Sequence, residues 1–353
     1  MITDIRLQNF RSYTDESFEI DAGVNIIVGP NASGKTNLLE AVLVNCLGNS
    51  YRAKEAELIA FEQPWARLDV HTDTGLRTTK LIVEPSGAVK KEFVINDQTL
   101  KRLLLPKTIP VVVFEPNHLQ LLAGSPDLRR EYLDNLLEQL VPGFGTVRRQ
   151  YKRTLAQRNR LLKLGREHAD GQLFAWNIRL SQLGAEIVAA RVQVVDQIEK
   201  ELQKLYQDLS HTDATVAVTY SGTCKVDQYS SDMLHKLEAS IDKDFARGFT
   251  AYGPHRDDMV ITLKDHLLQD AASRGETRTL LLALKIVELR LIEETRNQKP
   301  VLLLDDVFSE LDGARRRALT EVLKGYQTFI TTTDADVVVE HFMGSCNVIP
   351  LNT

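Results

Sequence analysis

Gly29, Pro30, Asn31, Ala32, Ser33, Gly34, Lys35 and Thr36 run consecutively: two glycines separated by four residues, then a lysine and a hydroxyl. Glycines so spaced let the backbone turn with its N–H groups facing inward. The amine then reaches the outer phosphates of a polyphosphate, and the hydroxyl ligates a divalent cation. The pattern has this meaning only between a strand and a helix. Val24, Ile26, Ile27 and Val28 form an apolar, β-branched run before it. After it, Leu38, Leu39, Ala41, Val42, Leu43 and Cys46 recur at helical spacing, so one buried face is expected over residues 37–47. Gly29 to Asn37 are therefore the expected nucleotide contacts.

A second acidic group stands far down the chain. Residues 300–306 read as an apolar strand ending in Asp305 and Asp306. Asp305 is placed to complete a Mg²⁺ shell with Thr36, and Asp306 to polarise an attacking water. Two carboxylates at a strand end also serve as caps for the segment that follows. Ser273, Arg274 and Gly275 precede an amphipathic helix over residues 278–294, carrying Leu281, Leu284, Ile286, Val287, Leu289 and Ile292. Such residues form an ordinary cap, or a second anion site on the unpaired first-turn N–H groups. The segment 252–258 (Tyr-Gly-Pro-His-Arg-Asp-Asp) is rich in groups that bind anions or metals. Two acids beside a Gly-Pro turn favour a hydrogen-bonded corner that supports the fold.

The remaining elements follow from periodicity. Ile2, Ile5 and Leu7 alternate with polar residues, turn near residues 9–13 and resume at Phe18 and Ile20, which reads as a hairpin. Strands are expected at 67–72, 78–84, 92–95, 109–114, 214–220, 259–263 and 328–332. Residues 127–209 are helical, broken near Pro142-Gly143 and Asp170-Gly171. Residues 148–166 contain many cations and no acid, which is either a solvated helix face or a surface for nucleic-acid phosphates. A net charge of −5 excludes a uniformly basic DNA-coating protein. Cys46, Cys224 and Cys346 show no metal-binding or disulfide spacing. No signal peptide or membrane-spanning run is visible, so a soluble, cytoplasmic protein is expected.

The order of these motifs resembles the ABC-type ATPases, in which a Ser-x-Gly helix precedes the acidic strand and a Glu-Leu-Asp segment (here residues 310–312) follows it. Residues 114–134, 151–160, 252–258 and 273–278, together with Asn9-Phe10-Arg11, resemble the RecF family of DNA replication and repair proteins. The likeness runs from that triplet to Thr333. Asn117 departs from it, standing where many members have an acid.

The resemblance implies an α/β fold, with an ABC-type P-loop ATPase head of mixed sheet and flanking helices plus an inserted, mainly helical subdomain. The expected boundaries are 1–115 and 250–353 for the head and 116–249 for the insertion. It implies ATP and Mg²⁺ as cofactors, Arg11 among the nucleotide contacts, and an ATP-dependent homodimer in which Ser273 and Gly275 of a second copy close over the γ-phosphate. Lys35, Asp306 and Ser273 would be catalytic, and Asp312 would lie at the dimer contact. Thr332 or Thr333 stands where ABC proteins often carry a switch histidine, which implies slow hydrolysis. DNA at single-strand gaps or junctions would bind without sequence preference through Arg129, Arg130, Lys152, Arg153 and Arg158. RecO, RecR and, indirectly, RecA are the implied partners, in recombinational repair and replication-fork maintenance. A membrane-transport ABC ATPase and a P-loop phosphotransferase are the competing readings, separated from the first by DNA stimulation of ATP hydrolysis.

Overall fold

The computed structural model describes residues 1–169, 171–342 and 346–351. They form two compact units: Met1–Pro116 with Leu289–Thr353, and Asn117–Glu288. Strands are numbered along the chain.

In the first unit, β1 (Ile2–Phe10) and β2 (Tyr13–Glu19) form the expected hairpin, with Phe10 opposite Tyr13. With β4 (Trp65–Thr72), β5 (Gly75–Val83), β6 (Val89–Ile95) and β7 (Gln98–Leu100) they make an antiparallel sheet in the order β2-β1-β4-β5-β6-β7. A second sheet joins β3 (Val24–Val28), β8 (Val111–Phe114), β12 (Val301–Asp305), β13 (Thr328–Thr332) and β14 (Cys346–Pro350). Its order is β14-β3-β13-β12-β8, and every pair is parallel. Both faces of such a sheet are covered, which is why β8, β12 up to Asp305 and, apart from Asn25, β3 read as apolar runs. β13 carries three threonines, buried because their hydroxyls are satisfied. Thr328 donates to the Tyr326 carbonyl (3.2 Å) and Thr332 to that of Asp334 (2.9 Å).

The helix Lys35–Leu47 is buried on nearly every side instead of on one face. It shares a core with Ile5, Leu7, Leu68 and Val70 of the antiparallel sheet and with Ile27, Leu303 and Phe329 of the parallel one. A helix between two sheets has no solvent face to keep polar, so its one-sided pattern is lost. Because β3, β13, β12 and β8 run the same way, their carboxyl ends lie along one edge, where ligands of open parallel sheets bind.

The second unit is built on the 38-residue helix Leu173–Ser210, packed against the helix Phe144–Leu164 and a small antiparallel sheet. That sheet has the order β11-β10-β9, from β9 (Val216–Ser221), β10 (Asp258–Leu263) and β11 (His266–Leu267). The break expected at Pro142-Gly143 is present, with Gly143 at φ 85°. Of the second break, Asp170 lies outside the described residues, and Gly171 has φ 82°.

The compact units divide after Pro116 and after Glu288, where boundaries after 115 and 249 are expected from the sequence. Residues 250–288 belong to the insertion because β10 pairs with β9 from Asp258 to Leu263 and Arg129 grips Asp258. The boundary lies inside the helix Arg274–Arg296, which was expected to be amphipathic. Residues 282–289 are instead buried all round, and Lys285 and Glu288 are buried as an ion pair at 2.9 Å.

Candidate nucleotide-binding site

The phosphate loop leaves the end of β3 and closes at the start of the Lys35–Leu47 helix. Ala32 (φ 68°) and Gly34 (φ 95°) adopt left-handed conformations, turning successive N–H groups into a concavity. A Cβ on Gly29 would lie 2.6 Å from Ser33 Oγ and 2.8 Å from the Leu351 carbonyl, so only glycine fits. Lys35 Nζ donates to the carbonyls of Gly29 (2.7 Å) and Pro30 (2.8 Å), across the loop mouth. Ser33 Oγ is buried without a hydrogen-bond partner among the described residues. A buried, unsatisfied hydroxyl beside free first-turn N–H groups and a lysine fits the oxygens of a polyphosphate. Asn37 donates to Ser12 Oγ (2.9 Å). Arg11 makes a bidentate pair with Glu40 (2.7 and 3.1 Å), which ties it to the helix.

Thr36 and Asp305, 269 residues apart, meet directly: Thr36 Oγ1 donates to Asp305 Oδ1 (3.0 Å) and Oδ2 (3.1 Å). One hydroxyl and one carboxylate suit Mg²⁺, which keeps several waters and takes its other oxygens from phosphates. Among the described residues no group of three or more His, Cys, Asp or Glu offers a transition-metal site. Asp306 follows in a left-handed conformation (φ 52°). Its N–H donates to Thr331 Oγ1 (2.9 Å), and its carboxylate accepts from Ser309 Oγ (3.1 Å). Thr331 Oγ1 in turn donates to Asp305 Oδ1 (2.7 Å), so one hydroxyl positions both acids.

Sequence reasoning missed Thr331 in this role, and also Tyr51, Arg52 and Glu115. Arg52 pairs with both Glu115 and Asp305, and the Tyr51 hydroxyl donates to Glu115. Burial raises the Tyr51 phenol well above its usual range, so it remains a donor. The available signal was the position of Glu115, directly after an apolar run like that preceding Asp305.

In the second unit, Ser273 opens the helix Arg274–Arg296 with a capping box. Its Oγ accepts from the Glu276 N–H (3.2 Å), and its N–H donates to Glu276 Oε2 (2.9 Å). Those bonds, with help from Lys264, hold the Glu276 carboxyl down at about 2. Ser273 is exposed, and the cap uses its oxygen as acceptor, which leaves its O–H to donate. Asp312, in the first unit, caps the helix Gly313–Leu323 by accepting from the Arg315 N–H (3.0 Å), and it too is exposed.

Three of the five residues expected to touch DNA are paired within the chain, Arg129 and Arg158 buried and Arg130 partly buried. Arg158 is fully buried, donating to Asp244 (2.8 Å), Thr250 (2.7 Å) and Asn177 (2.7 Å). Arg129 makes a part-buried bidentate pair with Asp258, and Arg130 donates to Asp127 and to the Asp257 carbonyl. A cation neutralised inside the fold, as Arg158 is, has no charge to offer a phosphate. Lys152 and Arg153 are exposed, as are Arg149, Arg160 and Lys163. At 100° per residue these five fall within an arc of about 100° on the Phe144–Leu164 helix.

The 252–258 segment is a corner of the fold. Asp257 is buried and accepts from the Tyr220 hydroxyl (2.8 Å) and from Thr223 N–H and Oγ1 (2.7 and 2.9 Å). Pro254 O accepts from Arg191 (2.7 Å). His255 Nδ1 lies 2.7 Å from the Tyr151 hydroxyl and Nε2 3.1 Å from the Thr250 carbonyl, so it is not a loose surface residue. Burial, with Arg256, Arg130 and Arg158 nearby, pushes its pKa down to about 4. Since the unfolded chain takes up this proton near 6.5 and the native state only near 4, stability is lost as pH falls through that window. The loss expected between pH 7 and pH 5 is about 2 kcal/mol for this one group. Urea midpoints of wild type and His255→Gln at the two pH values test this: the variant should lack that increment, and equal pH dependence of both would refute it.

The family model of the RecF/RecN/SMC N-terminal domain matches residues 1–348. The DNA replication and repair protein RecF of Heliobacterium modesticaldum is 34% identical over 342 residues, covering 94% of this chain and 92% of that protein. The chain belongs to the RecF family. RecF of Halalkalibacterium halodurans is likewise 34% identical, over 95% of this chain and 93% of its own. A solved structure of the recombination mediator protein RecF-ATPrS in the RecFOR pathway superposes with a TM-score of 0.86. It is 30% identical and covers 95% of this chain and 92% of its own. An SMC head bound to the C-winged helix domain of ScpA, at 16% identity and a TM-score of 0.52, shares the fold alone. RecF membership thus bears out the ABC/SMC-type ATPase head with a large helical insertion.

Proposed function

We propose that this chain is an ATP-gated DNA-binding switch of recombinational repair, closed as a dimer and reset by slow hydrolysis. The observation that carries it is the Thr36 hydroxyl set against both oxygens of Asp305, at the mouth of a complete phosphate loop. Lys35 and the loop N–H groups bind the outer phosphates, while Thr36 and Asp305 hold Mg²⁺, which neutralises phosphate charge when bound. Asp306 orients the hydrolytic water. Ser273 and Gly275 of a second copy close over the γ-phosphate, with Asp312 at the contact, so nucleotide becomes part of the interface. Thr332 and Thr333, in place of a histidine, leave hydrolysis slow.

Lys152 and Arg153, with Arg149, Arg160 and Lys163, form the DNA surface. Contacts to phosphates position without reading sequence, so gaps and junctions would be recognised by shape. The RecFOR pathway named for that relative supports RecO and RecR as partners, and RecA loading is the outcome this reading assigns. No described helix is long and apolar enough to cross a membrane, and a cytoplasmic site of action fits that reading.

Light scattering with and without ATP and Mg²⁺ tests the switch. Wild type or Asp306→Asn should double in mass only with nucleotide, and Ser273→Arg should stay a monomer. A mass that never responds to ATP would rule the dimeric switch out.

A further inference from the structure

Every lone-pair direction of Asp305 that faces the site is in use. Oδ1 accepts from Thr331 (2.7 Å) and Thr36 (3.0 Å), and Oδ2 from Arg52 (2.9 Å) and Thr36 (3.1 Å). The Arg52 guanidinium also pairs with Glu115, whose side chain is 2% exposed and accepts from the Tyr51 hydroxyl. Arg52 itself is 28% exposed, which leaves its side chain room to withdraw. Two carboxylates, Asp305 and Glu115, thus converge on one cation supplied by the chain. A guanidinium and a divalent ion cannot both sit about 3 Å from the same carboxylate oxygen without strong repulsion.

We propose that Arg52 is a built-in counter-ion that fills the divalent-cation position of the nucleotide-free site. Glu115 and Tyr51 hold it there, and it gives up Asp305 when metal and nucleotide load. The inference rests on Thr36 and Asp305 being the metal ligands. It assigns Arg52 a positioning role: it keeps Asp305 oriented while the site is empty, and it makes metal binding depend on nucleotide, since the ion alone must compete with a tethered cation. Glu115 gives the withdrawn guanidinium a partner, so displacement leaves no buried carboxylate unpaired.

The test is titration of Mn²⁺ without nucleotide, followed by the electron paramagnetic resonance signal of the free ion. Arg52→Ala should bind Mn²⁺ at least tenfold more tightly than wild type, because a competing charge is gone and two carboxylates are left unneutralised. Arg52→Lys, which keeps the charge, should stay near wild type. As Arg52→Ala also removes the ion pair of buried Glu115, the same comparison is made between Glu115→Gln and Glu115→Gln/Arg52→Ala, where the double variant should again bind more tightly. Unchanged Mn²⁺ affinity in both comparisons, with ATP binding to wild type intact, overturns the counter-ion and leaves Arg52 a structural tie. Failure of wild type to bind ATP with Mg²⁺ overturns the reading of the site, and the inference with it.

Discussion

Arg158→Ala is expected to destabilise the second unit strongly, not to weaken DNA binding alone. Arg158 on the Phe144–Leu164 helix pairs with Asp244, both at 0% exposure, and it also donates to Asn177 and Thr250. The helices Leu173–Ser210 and Ile241–Arg247 are therefore pinned to it through one guanidinium. Removing one partner of a buried pair strands the other, at a cost of about 3–5 kcal/mol, a large share of a domain's stability. Asp244→Ala should cost as much. Arg158→Met/Asp244→Leu should cost less than the two single changes together, because no charge is left uncompensated.

Lys152→Ala/Arg153→Ala supplies the contrast. Both side chains are exposed, so the urea midpoint should stay within about 0.5 kcal/mol of wild type. The slope of log affinity for DNA against log salt should fall by about 1.5–2, one phosphate contact for each residue. Chemical denaturation and salt titration together decide the matter. An Arg158→Ala protein with wild-type stability and weakened DNA binding would return that residue to the phosphate surface.

The case of Arg158 shows why a basic stripe is poorly legible in a sequence. The run 148–166 has no acid in it, so each cation looks unpartnered. The partner of Arg158 stands 86 residues away, and only the fold brings it near. Helical spacing separates the two classes afterwards: Arg158 sits on the face of Tyr151 and Leu162, whereas Lys152 and Lys163 sit on the other. The same limit hid the second domain boundary, since β10 follows the unit it belongs to after a stretch of loop. It also hid Lys285 and Glu288, which pair with each other inside a helix buried around them.

The phosphate loop was legible because its chemistry is local. Gly29, Gly34, Lys35 and Thr36 must be neighbours in sequence to surround one polyphosphate, and strand and helix flank them in register. Asp305 was legible because a carboxylate ending a buried apolar strand has few other uses. Arg52 and Thr331 carry no such signature, and Glu115 shares Asp305's place after an apolar run but has no motif beside it. Arg52 follows the Lys35–Leu47 helix, Glu115 follows β8 and Thr331 lies within β13, so only the fold brings them together.

The second large effect concerns Asp306. Asp306→Asn should lower single-turnover ATP hydrolysis by about 10²–10⁴-fold, the usual range for a positioned general base, and leave nucleotide affinity little changed. The backbone supports this division. Asp306 holds an uncommon left-handed conformation for a residue with a side chain, fixed by its N–H to Thr331 and by Ser309 on its carboxylate. Asp305 faces Thr36 and ends the strand, so Asp305→Asn should act on the bound ground state: Mg²⁺-dependent nucleotide affinity falls, and hydrolysis falls with it. Thr331→Val removes the hydroxyl shared by both acids and should lower affinity and rate together. Binding measured with a fluorescent nucleotide, alongside quenched-flow hydrolysis, separates the three variants. Wild-type hydrolysis by Asp306→Asn would remove it from the chemistry and leave its strained backbone to be explained as a cap for Val307–Glu310.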